Sequence, residues 1–201
     1  MNIESVEHLR RLYAAPRERA VRKQLSALDV HCRRFIGLSP FVVVATSGAA
    51  GTMDASPRGG APEFVTVTDD GTLLLPDAPG NNRLDSLENI IANGRIGLLF
   101  LIPGVDETLR INGSARLSAA PDDIARCTTE RRVPKVVIKV NVEEAYLHCA
   151  KALMRSRLWD AQARVERSAL PTMGQMINDQ TGIDTPPETR EQMLERYTPD
   201  L

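Results

Sequence analysis

Phe41-Val42-Val43-Val44-Ala45-Thr46, Met53-Asp54-Ala55-Ser56, Phe64-Val65-Thr66-Val67-Thr68, Thr72-Leu73-Leu74-Leu75-Pro76 and Arg95-Ile96-Gly97-Leu98-Leu99-Phe100-Leu101-Ile102 succeed one another in the first half of the chain. Each segment is short, most are rich in β-branched or aliphatic residues, and Gly, Pro, Asn or Asp bound them, which is the pattern of strands. Ser39-Pro40 precedes the first and Gly48 to Gly51 follows it. Asp69-Asp70-Gly71 supplies the turn of a hairpin joining 64–68 to 72–76. The run from Arg95 to Ile102 is almost wholly apolar and belongs in the middle of a sheet. Beyond Pro103-Gly104 the chain alternates, with Leu109, Ile111, Ala115 and Leu117 on one face. Thr108, Arg110, Asn112, Ser114 and Arg116 take the other, a polar face open to a ligand or partner. Val136 to Val142 makes a last strand.

Helical periods flank this block. Leu9, Leu12, Val21, Leu25 and Leu28 recur in a charged segment, 3–36, that Pro16 divides into two helices. Leu84, Leu87, Ile90 and Ile91 place an internal helix between the hairpin and the 95–102 strand. A further helix is expected through Tyr146, Leu147, Ala150, Leu153 and Met154. The tail past Asp160 reads as helical pieces broken at Pro171, Pro186 and Pro187. Six or so antiparallel strands, one internal helix and helical ends predict a mainly β fold, a small barrel dressed with helices. Strands follow strands and no GxGxxG opens a helix, which argues against a doubly wound parallel sheet. The 201 residues suit a single domain: a helical segment 1–38, a barrel 39–144 and C-terminal helices 145–201.

A formal charge of −1 argues against a general electrostatic grip on nucleic acid or an anionic membrane, so local basic clusters are expected to serve local ligands. Cys32, Cys127 and Cys149 are widely spaced and show neither a disulfide framework nor a zinc pattern, as expected of reduced thiols in a cytoplasm. No signal peptide is read at the N-terminus, and no apolar run approaches the roughly 20 residues of a membrane-spanning helix. A cytoplasmic protein is expected.

Two clusters suit an anion. Ser56-Pro57-Arg58-Gly59-Gly60 reads as one corner, and Pro76-Asp77-Ala78-Pro79-Gly80-Asn81-Asn82-Arg83 as another that leads into the internal helix. Gly80 can take backbone angles closed to other residues, Asn81 or Asn82 suits the helix N-cap, and Arg83 presents a fork of donors to phosphate. An ordinary capped helix with a solvated Arg explains the same residues, since Asp85 and Glu88 already suit the helix dipole. Convergence requires the hairpin to lie beside the 53–56 strand, which would bring Arg58, with Ser56, to Arg83. Arg110 is a mid-strand cation that either meets a ligand or partner or faces solvent. His148-Cys149 lacks a carboxylate or second His at ligand spacing and reads as part of a packed helix. Trp159 is either a packing anchor or a flat surface for a planar ring. With no acid/base dyad, Ser/His/Asp order or metal motif, any chemistry falls to a bound cofactor.

Several stretches together resemble the pyridoxamine 5'-phosphate oxidase-like FMN-binding split-barrel superfamily, and more narrowly its bacterial FMN-dependent branch. They are Ala45-Thr46-Ser47-Gly48, Met53 to Gly59, Leu75-Pro76-Asp77, Pro79-Gly80-Asn81-Asn82-Arg83, Ser86-Leu87-Glu88-Asn89-Ile90, Gly97-Leu98-Leu99-Phe100 and Glu107 to Gly113. His148 to Leu153 and Arg155-Ser156-Arg157-Leu158-Trp159 also match that branch, so the resemblance spans about residues 35 to 160. It implies a split β-barrel and a homodimer with two FMN molecules at the interface. Arg58, Asn82 and Arg83 would hold the phosphate, with Ser56 assisting and Asn81 beside them. Leu75, Pro76 and Asp77 would border the ring or ribityl chain. Arg110, and Lys151, Arg157 and Trp159 of the opposite subunit, would be neighbours. The implied activity is that of an FMN-dependent oxidoreductase. The flavin would accept a hydride from NADH, NADPH or a small organic donor and pass electrons to oxygen or a second acceptor. The same fold could also store or sense a flavin, haem or deazaflavin without turnover, or serve as a purely structural dimer. The true pyridoxamine phosphate oxidases end in an Arg-Leu-x-Pro tail that helps hold substrate, whereas this chain ends Glu195-Arg196-Tyr197-Thr198-Pro199-Asp200-Leu201. Vitamin B6 phosphate oxidation is therefore not expected of it.

Overall fold

Seven strands pair antiparallel in the computed structural model, which describes residues 2–69, 71–78 and 80–200. Asp70 of the expected hairpin turn and Pro79 of the second corner lie outside the described residues. The strands are β1 (Phe41–Ser47), β2 (Met53–Gly59), β3 (Thr66–Val67), β4 (Thr72–Pro76), β5 (Arg95–Leu101), β6 (Thr108–Ser118) and β7 (Val137–His148). Their order across the sheet is β2-β1-β5-β6-β7-β4-β3. Alternation decides which side chains enter the core: Val42 and Val44 of β1, Leu98 and Phe100 of β5, and Leu109 and Ile111 of β6 are all buried. They form one cluster with Leu73 and Leu75 of β4 and Ile138 and Val140 of β7. Each fully buried aliphatic or aromatic side chain of this kind contributes about 1.5–3 kcal/mol.

Helices close the core. The chain opens with α1 (Val6–Leu12) and α2 (Glu18–Arg22), neither of which buries a residue. Next comes α3 (Val30–Leu38), started by the Asp29 carboxylate accepting from the Cys32 amide at 2.8 Å and facing the core with Cys32, Phe35 and Ile36. Then α4 (Asp85–Asn93) turns Ser86, Leu87 and Ile90 inward and ends at Gly94, whose φ of 66° provides the left-handed cap. A helix after β6, α5 (Pro121–Cys127), covers the other face of β4, where Leu74 packs with Val137, Cys127 and Ile124. The C-terminal α6 (Lys151–Ser156), α7 (Met173–Thr181) and α8 (Arg190–Tyr197) bury no residue. Pro171, Pro186 and Pro187 fall between these pieces as expected.

Several sequence expectations are corrected. The segment before β1 holds three helices rather than two, because Asp29 caps a separate helix after Leu28. The β3 strand is only Thr66–Val67, shorter than 64–68. The β3–β4 hairpin lies at the opposite end of the strand order from β2 and does not pair with it, since β4 pairs with β7. Tyr146, Leu147 and His148 belong to β7 rather than to a helix, so the barrel strand runs past 144 and α6 starts at Lys151. Long-range pairing overrides local helical period there: Leu109 pairs with Leu147 and Thr108 with His148, and Leu25 bridges Ala145 through two 2.9 Å backbone bonds. The α5 helix was not anticipated, although Pro121 in its first turn followed by Asp122 and Asp123 is a start signal. Between β6 and β7 the register slips, with Asn112 opposite Glu144 but Gly113 opposite Val142. Glu143 is the extra residue of the resulting bulge. A Cβ on Gly113 would stand 2.0 Å from the Asn141 carbonyl oxygen, so the bulge requires glycine.

Candidate functional site at the start of α4

The expected first corner is instead part of a strand. Ser56-Pro57-Arg58-Gly59 continues β2, where Ser56 pairs with Val44 and Arg58 with Val42. The β2 strand is a sheet edge, which is where a strand tolerates proline. Period-2 alternation puts Asp54, Ser56 and Arg58 on one face, each half-buried, while Met53, Ala55, Pro57 and Gly59 are exposed. That face looks towards α4. The buried Ser86 hydroxyl donates to Asp54 Oδ2 at 2.5 Å, and Ser56 Oγ lies 3.1 Å from the same oxygen. Arg58 Nη2 reaches Ser86 Oγ at 3.5 Å, with Nη1 on the Pro57 carbonyl at 2.9 Å. One turn further, Asn89 Nδ2 donates to Thr46 Oγ1 at 3.0 Å and ties α4 to β1.

The second corner delivers Arg83 to the same helix end. Neither asparagine is the N-cap: Leu84 occupies that position and no side chain caps the helix. Asn81 Oδ1 instead accepts from the Arg83 amide at 3.1 Å. Asn82 at 57° and Leu84 at 59° take the left-handed conformation, one on each side of Arg83. A leucine there stores about 1–2 kcal/mol of strain. The Arg83 Nε donates to Asp85 Oδ2 at 2.8 Å, and the Asp85 hydrogen bond, with Asp54 acting at longer range, holds the guanidinium above its ordinary pKa. Arg58 and Arg83 thus approach the first turn of α4 from different elements, and Asp54 interacts with groups on both sides.

Other expected site residues are placed elsewhere. Leu75 is fully buried in the core, so its side chain offers no surface to a ring; Pro76 and Asp77 at the end of β4 are half-buried. Arg110 projects from the face of β6 opposite to the buried Leu109 and Ile111, away from α4 within one chain. Its Nη1 donates to the Tyr146 hydroxyl at 2.8 Å, and its guanidinium stands 5.5 Å from the ring centroid. Lys151 is exposed at the start of α6. Arg157, with φ 52°, pairs with Asp160 Oδ2 at 2.5 Å, and Trp159 Nε1 donates to the Val105 carbonyl at 2.9 Å. That bond ties the half-buried Trp159 to the β5–β6 loop. Cys149 is exposed and His148 lies in β7, so they do not form the packed helix expected. The sequence reading missed Asp54 and Ser86; alternation of polar residues through Asp54, Ser56 and Arg58 was the signal for the first.

The sequence profile of a family described as Pyridoxamine 5'-phosphate oxidase matches residues 28–149, more than half of the chain. The chain belongs to that family, and its seven-stranded antiparallel sheet with flanking helices is the family's split barrel. A comparison with curated proteins finds no match. Among solved structures, HupZ from Group A Streptococcus is similar at 20% identity and TM-score 0.50, over 60% of this chain and 93% of that one. A pyridoxinephosphate oxidase family protein from Clostridium acetobutylicum, related to general stress protein 26, shows 13% identity and TM-score 0.46 over 59% and 86%. An FMN-binding protein from Syntrophomonas wolfei shows 10% identity and TM-score 0.43 over 58% and 88%. At 20% identity the likeness to HupZ concerns the fold.

Proposed function

We propose that the protein is an FMN-dependent oxidoreductase acting on a small molecule, with the flavin phosphate at the N-terminus of α4. The observation that carries this reading is the delivery of Arg58 and Arg83, from separate elements, to a helix start that no side chain caps. Such an end presents unsatisfied amides and a positive dipole, and guanidinium groups add charge-assisted donors. Asn82 precedes Arg83 in the chain, and the Ser56 hydroxyl lies at the same carboxylate as Ser86. The chemistry of this donor set fits a phosphate group. Asp54 and Asp85 stand among these donors: Asp54's ties to Ser56 and Ser86 keep both hydroxyls at the site, and Asp85 holds Arg83 at the helix start.

When bound, FMN would supply the hydride-accepting ring. The chain's own residues would hold the phosphate and orient the group; Pro76 and Asp77 would border it. A second copy would complete the site, bringing Lys151, Arg157 and Trp159 near the flavin. Support for a homodimer comes from the outward face of β1 and β5, where Val43, Ala45, Leu99 and Leu101 are only half-buried in the single chain. Arg110 lies beside Leu99 in the same register and would face the partner.

The test is an absorbance titration of purified protein with FMN. Saturable binding is expected, and Arg83→Ala should weaken it roughly 10- to 150-fold, the range of one charge-assisted contact. No flavin uptake, or unchanged affinity in the variant, would refute the phosphate site. Anaerobic NADPH or NADH should then bleach the bound flavin. A flavin that stays oxidised with both favours binding or storage without turnover from these donors.

A further inference from the structure

A groove of about 250 Å³ lies on the outward face of β4, β7 and β6, lined by Thr72, Ser114, Ala115, Arg116, Lys139, Val140 and Asn141. The sheet register explains its chemistry. Ser114, Asn141 and Thr72 sit in one row across three strands, and Arg116 is directly opposite Lys139 in the next row. The same face is covered further along β4 by α5, which packs on Leu74 and Val137. The cover stops at the groove, and Asp123 of α5 stands at its edge.

The charges do not balance. Directly opposed like charges on neighbouring strands are destabilising, and Arg116 with Lys139 is such a pair. Asp123 compensates one of them: its Oδ1 is 3.1 Å from Lys139 Nζ, while Oδ2 accepts from Ser118 Oγ at 2.6 Å. Those bonds, with Arg116 acting at longer range, hold the Asp123 carboxyl below its ordinary pKa. Arg116 is exposed and, among the described residues, makes no hydrogen bond or ion pair of its own. The next charged groups along the face, Arg95 and Glu143, neutralise each other at 3.0 Å. Arg116 therefore remains without a paired carboxylate, above a floor that offers the Ser114 hydroxyl and the Asn141 amide, while the Thr72 hydroxyl turns to the Asp69 carboxylate at the end of the row.

We propose that this groove binds the phosphate group of a small phosphorylated metabolite, separately from the start of α4. Arg116 and Lys139 supply charge-assisted donors, and Ser114 and Asn141 supply neutral ones. The volume falls below the roughly 300 Å³ at which pockets for drug-sized ligands begin, so the ligand is a small phosphate monoester.

Amide NMR of the full-length protein, titrated with ribose 5-phosphate and separately with inorganic phosphate at constant ionic strength, tests this. Saturable shifts at Thr72, Ser114, Arg116 and Asn141 are expected, and tighter binding of the ester identifies it over free phosphate as the ligand. Arg116→Gln should weaken binding at least about tenfold, the worth of one charged contact. Arg116→Glu should abolish it while pairing with Lys139, which preserves the fold. Linear, unsaturable shifts, or equal affinity in Arg116→Gln, would overturn the proposal. Shifts at Arg83 and Ser86 report the α4 site independently, so failure at one site is distinguishable from failure at the other.

Discussion

Replacing Ser86 with alanine tests whether the polar cluster at the start of α4 is an energetic unit. Ser86 is 2% exposed, and its hydroxyl donates to Asp54 Oδ2 at 2.5 Å, the short end of the range for a bond to a carboxylate. Hydrogen bonds to charged groups contribute about 1.5–3 kcal/mol. Asp54 is half-buried and keeps the Ser56 hydroxyl at 3.1 Å, so water and Ser56 would partly replace the lost donor. The lower part of the range applies, about 1.5–2 kcal/mol, or roughly 3–8 °C in Tm for a chain of this size. Urea unfolding followed by circular dichroism would measure it. In a double-mutant cycle with Asp54→Asn, the loss in the double mutant should fall short of the sum of the two single losses by about 1 kcal/mol or more. Additivity within about 0.5 kcal/mol would refute the coupling and leave the contact a bystander.

The remaining expectations concern the scaffold. Gly113→Ala should destabilise by more than about 3 kcal/mol or prevent folding, because the new Cβ meets a carbonyl oxygen rather than a movable side chain; an unchanged urea midpoint would dismiss the bulge requirement. A thiol reagent should modify the exposed Cys149 quickly and the buried Cys32 and Cys127 only on unfolding; three equal rates would contradict the burial. Burial pushes the Cys32 thiol up from 9.0 to about 11. The fold thus favours the neutral form, and its contribution is complete below the unfolded value and lost as pH rises from 9 through 11. The stability gap between wild type and Cys32→Ala should narrow over that interval, and a constant gap would count against it.

Much of the sheet was legible because its strands carry their period openly. In β1, β5 and the first half of β6, alternate residues are buried; the first two were legible as β-branched and apolar runs and the third as an alternation of apolar and polar residues. Where the period was misleading, pairing decided. Tyr146 and Leu147 continue a helical pattern towards Leu153 in sequence, but β6 offers them a partner strand, and the ladder takes them. Pro57-Arg58-Gly59 has the composition of a turn and became strand because β2 is an edge with β1 on one side only. At the site, Arg58 and Arg83 could be chosen as the basic flanks. Asp54 and Ser86 could not, since their contact joins residues 32 positions apart and depends on where α4 settles.

From residue order alone came the strand-rich class, the internal helix after the second corner, and the two arginines that flank it, because periodicity and charge are local properties. Only the tertiary structure decided that β2 and the β3–β4 hairpin lie at opposite ends of the strand order. It likewise decided that Arg58 still approaches α4, and that Arg110 faces the other way. Those outcomes depend on which strands pair and which face each pleat presents, and a one-residue change of register would turn each side chain to the opposite face.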